Sequence, residues 1–283
     1  MALEARRLIR KMRGGAQAHL VEATDGNFYV VKFRNNPQHR RILVNELVAA
    51  TLLDYLGIAT PPAAVIELTE GFVAGNPELY IQLGSRREAV PAGRHFASRF
   101  PGNPFTRAVY DFLPDALLKK VANRKHFLGA LVFDKWTANA DSRQAIFFRG
   151  RLSGPPASDT APERPGFVAQ MMDHGYVFQG PHWEFRDSPL QGLYYRRAVY
   201  EEVRGWRDFE PWLERVLHFP EEVLDRALRR VPLEWLEDDE EELERLLEGL
   251  LRRRRRVADL IEQCRDGGRN PFPNWARALS AGS

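Results

Sequence analysis

Cysteine is nearly absent from this chain: Cys264 stands alone, which excludes an internal disulfide and a cysteine-based zinc cage and suits a reducing cytoplasm. Long apolar runs are missing too. Nowhere do eighteen uncharged apolar residues follow one another, so no segment reads as membrane-spanning. The basic start, MALEARRLIRKMRGG, has no apolar core of the kind a signal peptide needs. A cytoplasmic protein with no membrane partner and no export signal is therefore expected. Charge of one sign is not in excess either. The 41 Lys and Arg stand against 38 Asp and Glu, a balance too even to imply a polyanion. The seven histidines show no H-E-x-x-H spacing, which argues against a zinc enzyme. No internal repeat is present.

What the chain does have is enough apolar material for a sizeable core, 44% of 283 residues, in one large or two modest domains. Residues 18–33, AHLVEATDGNFYVVKF, are two apolar runs joined by Asp25-Gly26-Asn27, which predicts a β-hairpin with Lys32 near the end of its second strand. Helical spacing of Ile42, Leu43, Glu46, Leu47, Ala50, Leu53 and Leu56 predicts a helix within residues 35–57, stopped by Gly57. Pro61-Pro62 then forces extended chain into a third strand at 63–68, with a fourth at 78–83. Residues 90–104 carry five Gly or Pro and read as a connection between lobes.

Beyond that connection the chain turns helical. Residues 117–133 form an apolar periodic stretch that delivers Asp134 into the polar loop KWTANADSRQ. Two strands follow, at 145–148 and 167–172, separated by a Pro- and Gly-rich excursion over 149–166. Asp173-His174-Gly175 ends the second strand. From about residue 190 a helical remainder is expected, with 238–264 as one long helix. The predicted division is 1–88 for a sheet-rich N-lobe and 89–283 for a helical C-lobe, an α+β bilobal architecture.

Phosphoryl transfer needs few covalent participants, because the work is to position phosphates and offset their charge. Five parts recur in kinases: a flexible Gly-containing loop, a strand lysine, a helix glutamate that orients it, an Asp followed five residues later by an Asn, and a later metal-holding Asp. All five occur here in that order. Gly14 and Gly15, with Ala16 and Gln17, precede the hairpin; Lys32 closes a strand; Glu46 lies mid-helix; Asp134 and Asn139 follow a helix; Asp173 ends a strand. The D-x-x-x-x-N pair alone is a weak motif, since both residue types also form turns. The joint pattern carries the reading.

The segments FDKWTANADSRQAIF and MMDHGYVFQ, together with GGAQAHLV, YVVKF and GRHFASRFPG, resemble HipA-like kinases up to about residue 200. The resemblance implies a bilobal, protein-kinase-like fold and Ser/Thr protein kinase activity with ATP and magnesium. It implies Asp134 as catalytic base, Asn139 and Asp173 as magnesium ligands, and Lys32 as the phosphate contact oriented by Glu46. Gly14, Gly15, Ala16 and Gln17 would form the nucleotide loop. The acceptor would be a hydroxyl, of a protein, a lipid or a small molecule, with autophosphorylation possible. GGAQ stands in place of G-x-G-x-x-G, no His-Arg precedes Asp134, and DHG replaces DFG. A nucleotide-binding pseudokinase, acting as a scaffold or toxin–antitoxin component, is the rival reading.

Other features have plainer readings. Asp141 and Arg143 are expected to bridge each other and hold the loop, with metal contact by Asp141 the alternative. His174 would bond the neighbouring backbone or shield the nucleotide. The run of arginines at 252–256 follows an acidic block at 238–242, which complements a helix dipole and favours a solvated helix over a nucleic-acid site. Trp206, Phe209 and Trp212 are expected in the core.

Overall fold

The computed structural model describes residues 2–150 and 166–275, so the excursion expected over 149–166 lies almost wholly outside the described residues. The hairpin forms as expected, from β2 (His19–Ala23) and β3 (Phe28–Lys32). At its turn the Asp25 carboxylate accepts from the Asn27 backbone N–H at 3.0 Å, the local bond that makes Asp a turn former. The hairpin is preceded by an unforeseen strand, β1 (Ala5–Lys11). Its arginines face solvent along a sheet edge, where charge discourages pairing with another chain.

The expected helix forms as α1 (Arg41–Leu56) and stops at Gly57 in the left-handed conformation. Next come β4 (Ala63–Leu68), a short α2 (Glu70–Ala74), and β5 (Tyr80–Leu83). The expected fourth strand, β5, pairs only with β6 (Arg86–Ala89), in a separate hairpin.

The supposed connection at 90–104 instead holds strand β7 (Gly93–Arg99). It lies between β3 and β4 in a five-stranded antiparallel sheet ordered β1-β2-β3-β7-β4. Its Gly and Pro residues sit at the ends of the strand or beyond them, while His95, Phe96 and Ala97 are buried inside it. The expected division between 88 and 89 would separate β7 from the sheet it helps to build. The sheet curls until its edges meet, where Glu4 bridges Glu67.

The second lobe holds β8 (Val109–Tyr110), β9 (Gln144–Gly150) and β10 (Gly166–Met172) as a small sheet. The single helix expected at 117–133 is two, α3 (Asp115–Leu118) and α4 (His126–Thr137). Asp134 therefore stands in the last turn of α4, not in a loop. Regular helix resumes only at α5 (Trp212–Leu217) and α6 (Glu221–Arg230), later than residue 190. The expected long helix is α7 (Glu240–Arg253) and α8 (Val257–Asp266), with a 3₁₀ turn over Arg254–Arg256 between them. No helix among the described residues is long and apolar enough to cross a membrane.

α1 joins the lobes. Only Arg41, Asp54 and Tyr55 along it keep appreciable exposure, so it is a central helix packed on all sides. Its leucines share one apolar core with α4 to α8. The inner face of the curled sheet, from Ala5, Val21 and Val31 to Ile66, closes over a second core.

β7 also carries a pH-sensitive group. The Arg34 backbone N–H donates to His95 Nδ1 at 3.0 Å, and His95 Nε2 donates to the Pro91 carbonyl at 2.9 Å, which requires a neutral ring. Burial pulls this imidazole down to about 4. Between pH 6.5 and about 4 the unfolded chain takes up a proton that the folded chain refuses, so stability falls as pH falls. The slope from this one group is at most about 1.4 kcal/mol per pH unit. Urea denaturation from pH 7 to 5 should show this decline, and His95→Asn, though weaker at pH 7, should decline less steeply over the same interval.

Candidate active site

Lys32, Glu46 and Asp173 come from β3, α1 and the end of β10 and meet in one place. Lys32 Nζ bonds Glu46 Oε1 and, at 2.8 Å, Asp173 Oδ1. Burial pulls the Lys32 ammonium down, but the two carboxylates outweigh it and hold it above the usual lysine range. The Lys32 charge, with help from Arg143 against burial, keeps Asp173 below the ordinary carboxylate range. Glu46 is pushed up by burial, against the pull of Lys32. Asp173 has a φ of 59°, a conformation uncommon for a non-glycine residue and frequent at functional sites.

These three residues stand in a cleft of about 940 Å³ open to solvent. Gly14, Gly15 and Ala16 line it, and Gly14 has a φ of 120° that a side chain would strain. Ala18, Val30, Ala63, Ile146 and Met172 give it apolar walls, the surface a flat heteroaromatic ring needs. Gln17 is not among its lining residues. Its amide clasps the backbone of Gln82 at 2.7 and 2.9 Å, and so ties the glycine loop to the β5–β6 hairpin.

Asp134 and Asn139 are placed elsewhere. Both are completely buried, and neither lines the cleft. Arg143 takes both oxygens of Asp134, through Nη2 and through Nε at 2.8 Å. Asn139 Nδ2 adds a bond to Asp134 Oδ1 at 2.9 Å. Burial pushes the Asp134 carboxyl up even against these partners. The expected Asp141–Arg143 bridge is therefore replaced by Asp134–Arg143, because a buried carboxylate has the greater need of a cation. Gly192 covers Asp134 so closely that a Cβ there would lie 2.0 Å from the Asp134 Cβ.

Arg143 reaches further. Its Nη1 donates to the Met172 carbonyl at 3.0 Å and to His174 Nδ1 at 2.9 Å. His174 is thus neutral, with Nε2 carrying the proton toward Met171 and Thr60, and burial lowers it well below the usual range. It bonds its neighbours and also lines the cleft.

A sequence model of the HipA-like kinase family matches residues 6–147. The chain belongs to the HipA-like kinase family. No curated protein is similar enough in sequence to match. Among solved structures, the Golgi casein kinase with Mn/ADP bound is 13% identical, with a TM-score of 0.52, over 93% of this chain and 74% of that one. A second structure of the Golgi casein kinase gives 13% and 0.53, over 95% and 74%. Hydra Fam20 with sugar gives 13% and 0.52, over 93% and 86%. At such identity these likenesses concern the fold, which is kinase-like. Family and fold together make the chain a kinase-type phosphotransferase.

In this HipA-like kinase several positioning residues escaped the sequence reading. Asn45, beside Glu46 on α1, donates to the Gly175 and Gly180 carbonyls at 2.8 and 2.9 Å and accepts from Trp183 Nε1 at 2.8 Å. It fixes the segment after Asp173 to the helix that carries Glu46. An Asn directly before Glu46, set among apolar residues, was the available signal. Arg40 and Arg41 pair with Asp239 at the start of α7. The arginine run is only partly solvated: Arg253 is buried, bonded to the Trp136 carbonyl at 2.9 Å and paired with Asp187. Phe209 and Trp212 are core residues, and Trp206 stacks edge-on against Trp275 at their margin.

The buried pair can be tested by its energetics. Removing one partner of a buried ion pair costs about 3–5 kcal/mol, whereas replacing both by apolar residues can be far cheaper. Urea denaturation should find Arg143→Leu destabilised by about that amount, and Arg143→Leu combined with Asp134→Leu less destabilised than Arg143→Leu alone.

Proposed function

We propose that this kinase moves the γ-phosphoryl group of ATP to a Ser or Thr hydroxyl of a protein acceptor, with magnesium, in the cytoplasm, and that Asp141 rather than Asp134 serves as base. One observation carries the second half: Asp141 stands between two recesses. On one side the Gln144 amide links it to Asp173 in the nucleotide cleft, at 3.4 Å to Asp141 and 3.2 Å to Asp173. On the other side it lines a separate groove with Gln179, Arg186, Gln191 and Tyr195. A base for phosphoryl transfer must reach the acceptor hydroxyl and the phosphate together. Asp134, with no exposure and both oxygens engaged, reaches neither.

In this reading the nucleotide ring lies against the apolar walls, and backbone N–H groups of Gly14 to Ala16 approach the phosphates. Lys32, held by Glu46, offsets phosphate charge. The acceptor oxygen bonds to the γ-phosphorus as the bond to the β,γ-bridging oxygen breaks. The hydroxyl proton passes to the Asp141 carboxylate and ADP leaves. Asp173 would hold magnesium, whose preference is for hard oxygen donors, and the ion when bound would neutralise phosphate charge. The donor set fits such an ion. Among the described residues no group of three or more His, Cys, Asp or Glu could hold a metal by itself, so phosphate oxygens would supply the remaining ligands. The Golgi casein kinase with Mn/ADP bound supports a nucleotide with a divalent ion on this fold.

Incubation with γ-labelled ATP and magnesium, with protein acceptors, a sugar acceptor, or the chain alone, tests both halves. Wild type should label a protein acceptor; labelling of the sugar alone would move the acceptor class, and labelling of the chain alone would make it autophosphorylation. Asp141→Asn should lose about 10²–10⁴-fold of the transfer rate at an unchanged melting temperature. Transfer by Asp141→Asn at the wild-type rate would return the base to another residue.

A further inference from the structure

The motif reading places the amide partner of the metal at Asn139, a side chain that does not line the cleft. Asn139 is fully buried; its Nδ2 is spent on Asp134 at 2.9 Å and its Oδ1 accepts the Asp141 N–H at 3.1 Å. The residue five positions beyond Asp141 is Ile146, an apolar wall of the cleft. One amide does stand at the carboxylates. We infer that Gln144 supplies the amide ligand for the divalent ion that accompanies the nucleotide, an assignment that rests on the phosphotransfer reading above.

Three observations support this. Gln144 opens β9, and Met172 pairs with it in register on β10, so the strand pairing itself sets Gln144 beside the residue that precedes Asp173. Its side chain is exposed, free to turn about its own bonds. Its Nε2 meets Asp141 Oδ2 and Asp173 Oδ2 together, the arrangement of a weak positive dipole standing between two carboxylates. A divalent ion offsets that pair of charges far better than an amide hydrogen does. Half a turn of the amide would exchange its N–H for its carbonyl oxygen, a hard neutral ligand of the kind magnesium and manganese accept. Asp173 Oδ1 stays with Lys32, which leaves Oδ2 as the oxygen facing the ion.

The test is calorimetric and needs no turnover: titration of ADP into wild type, Gln144→Ala, Gln144→Glu and Asn139→Ser, each with magnesium and with EDTA. Wild type should bind ADP more tightly with magnesium. Gln144→Ala should lose about tenfold or more of that gain with its affinity in EDTA unchanged, while Gln144→Glu should keep it or enlarge it. Asn139→Ser should melt earlier yet keep the full gain. A Gln144→Ala protein whose magnesium gain equals that of wild type overturns the assignment, as does one whose affinity falls equally in magnesium and in EDTA. Absence of any magnesium gain in wild type would instead bring down the phosphotransfer reading itself, so the two failures are told apart.

Discussion

The guanidinium of Arg143 is the constraint on which the site depends. A buried cation is tolerated only when its hydrogen-bonding capacity is spent on well-placed acceptors. Here the acceptors come from three places in the chain: both oxygens of Asp134 at the end of α4, the Met172 carbonyl at the end of β10, and the His174 ring. Satisfying one group therefore fixes a helix end, a strand end and the DHG segment against one another. Because each acceptor also polarises the others, such a network is stiffer than its separate bonds. Asp173 lies between two of these anchored residues, which is how the fold can hold it at a φ of 59°.

The hairpin, α1 and the ion pair were legible from residue order. Lys32 and Glu46 could be found because a strand lysine followed by a mid-helix glutamate keeps the order that a kinase site needs, and Asp173 because a short β-rich run leads directly into DHG. Asp134 and Asn139 lie away from the cleft for a physical reason. Spacing along a chain carries no information about exposure, and the apolar periodicity of FLGALVFDKW runs straight through Asp134. A carboxylate within such a run is a buried one that must find a cation, and Arg143 was available nine residues on. Strand β7 was concealed differently. Its flanking Gly and Pro residues drew it toward a loop, while HFA at its centre is buried for tertiary reasons, packed between β3 and β4.

The C-terminal helices show the same limit. The charge order along 238–256 complements a helix dipole as expected, yet the 3₁₀ turn at Arg254–Arg256 interrupts it. Arg253 turns inward to the end of α4 and Arg254 donates to the Phe219 carbonyl at 3.0 Å. A run of like charges looks uniform on paper, but each member meets a different neighbour once two helices bend around α4.

α1 lies in the core it shares with α4 to α8 and also packs against β4 and β7 of the sheet, and at its two ends Arg41 and Gly57 meet Asp239 and Arg215. The lobes are consequently poor modules. A lineage could not exchange one of them for that of a distant relative without also rewriting the other side of α1, since the helix that presents Glu46 is shaped to a particular companion. Change in this chain should accumulate as matched pairs across that helix, and a substitution at Asp239 is met at the first turn of the helix that presents Glu46.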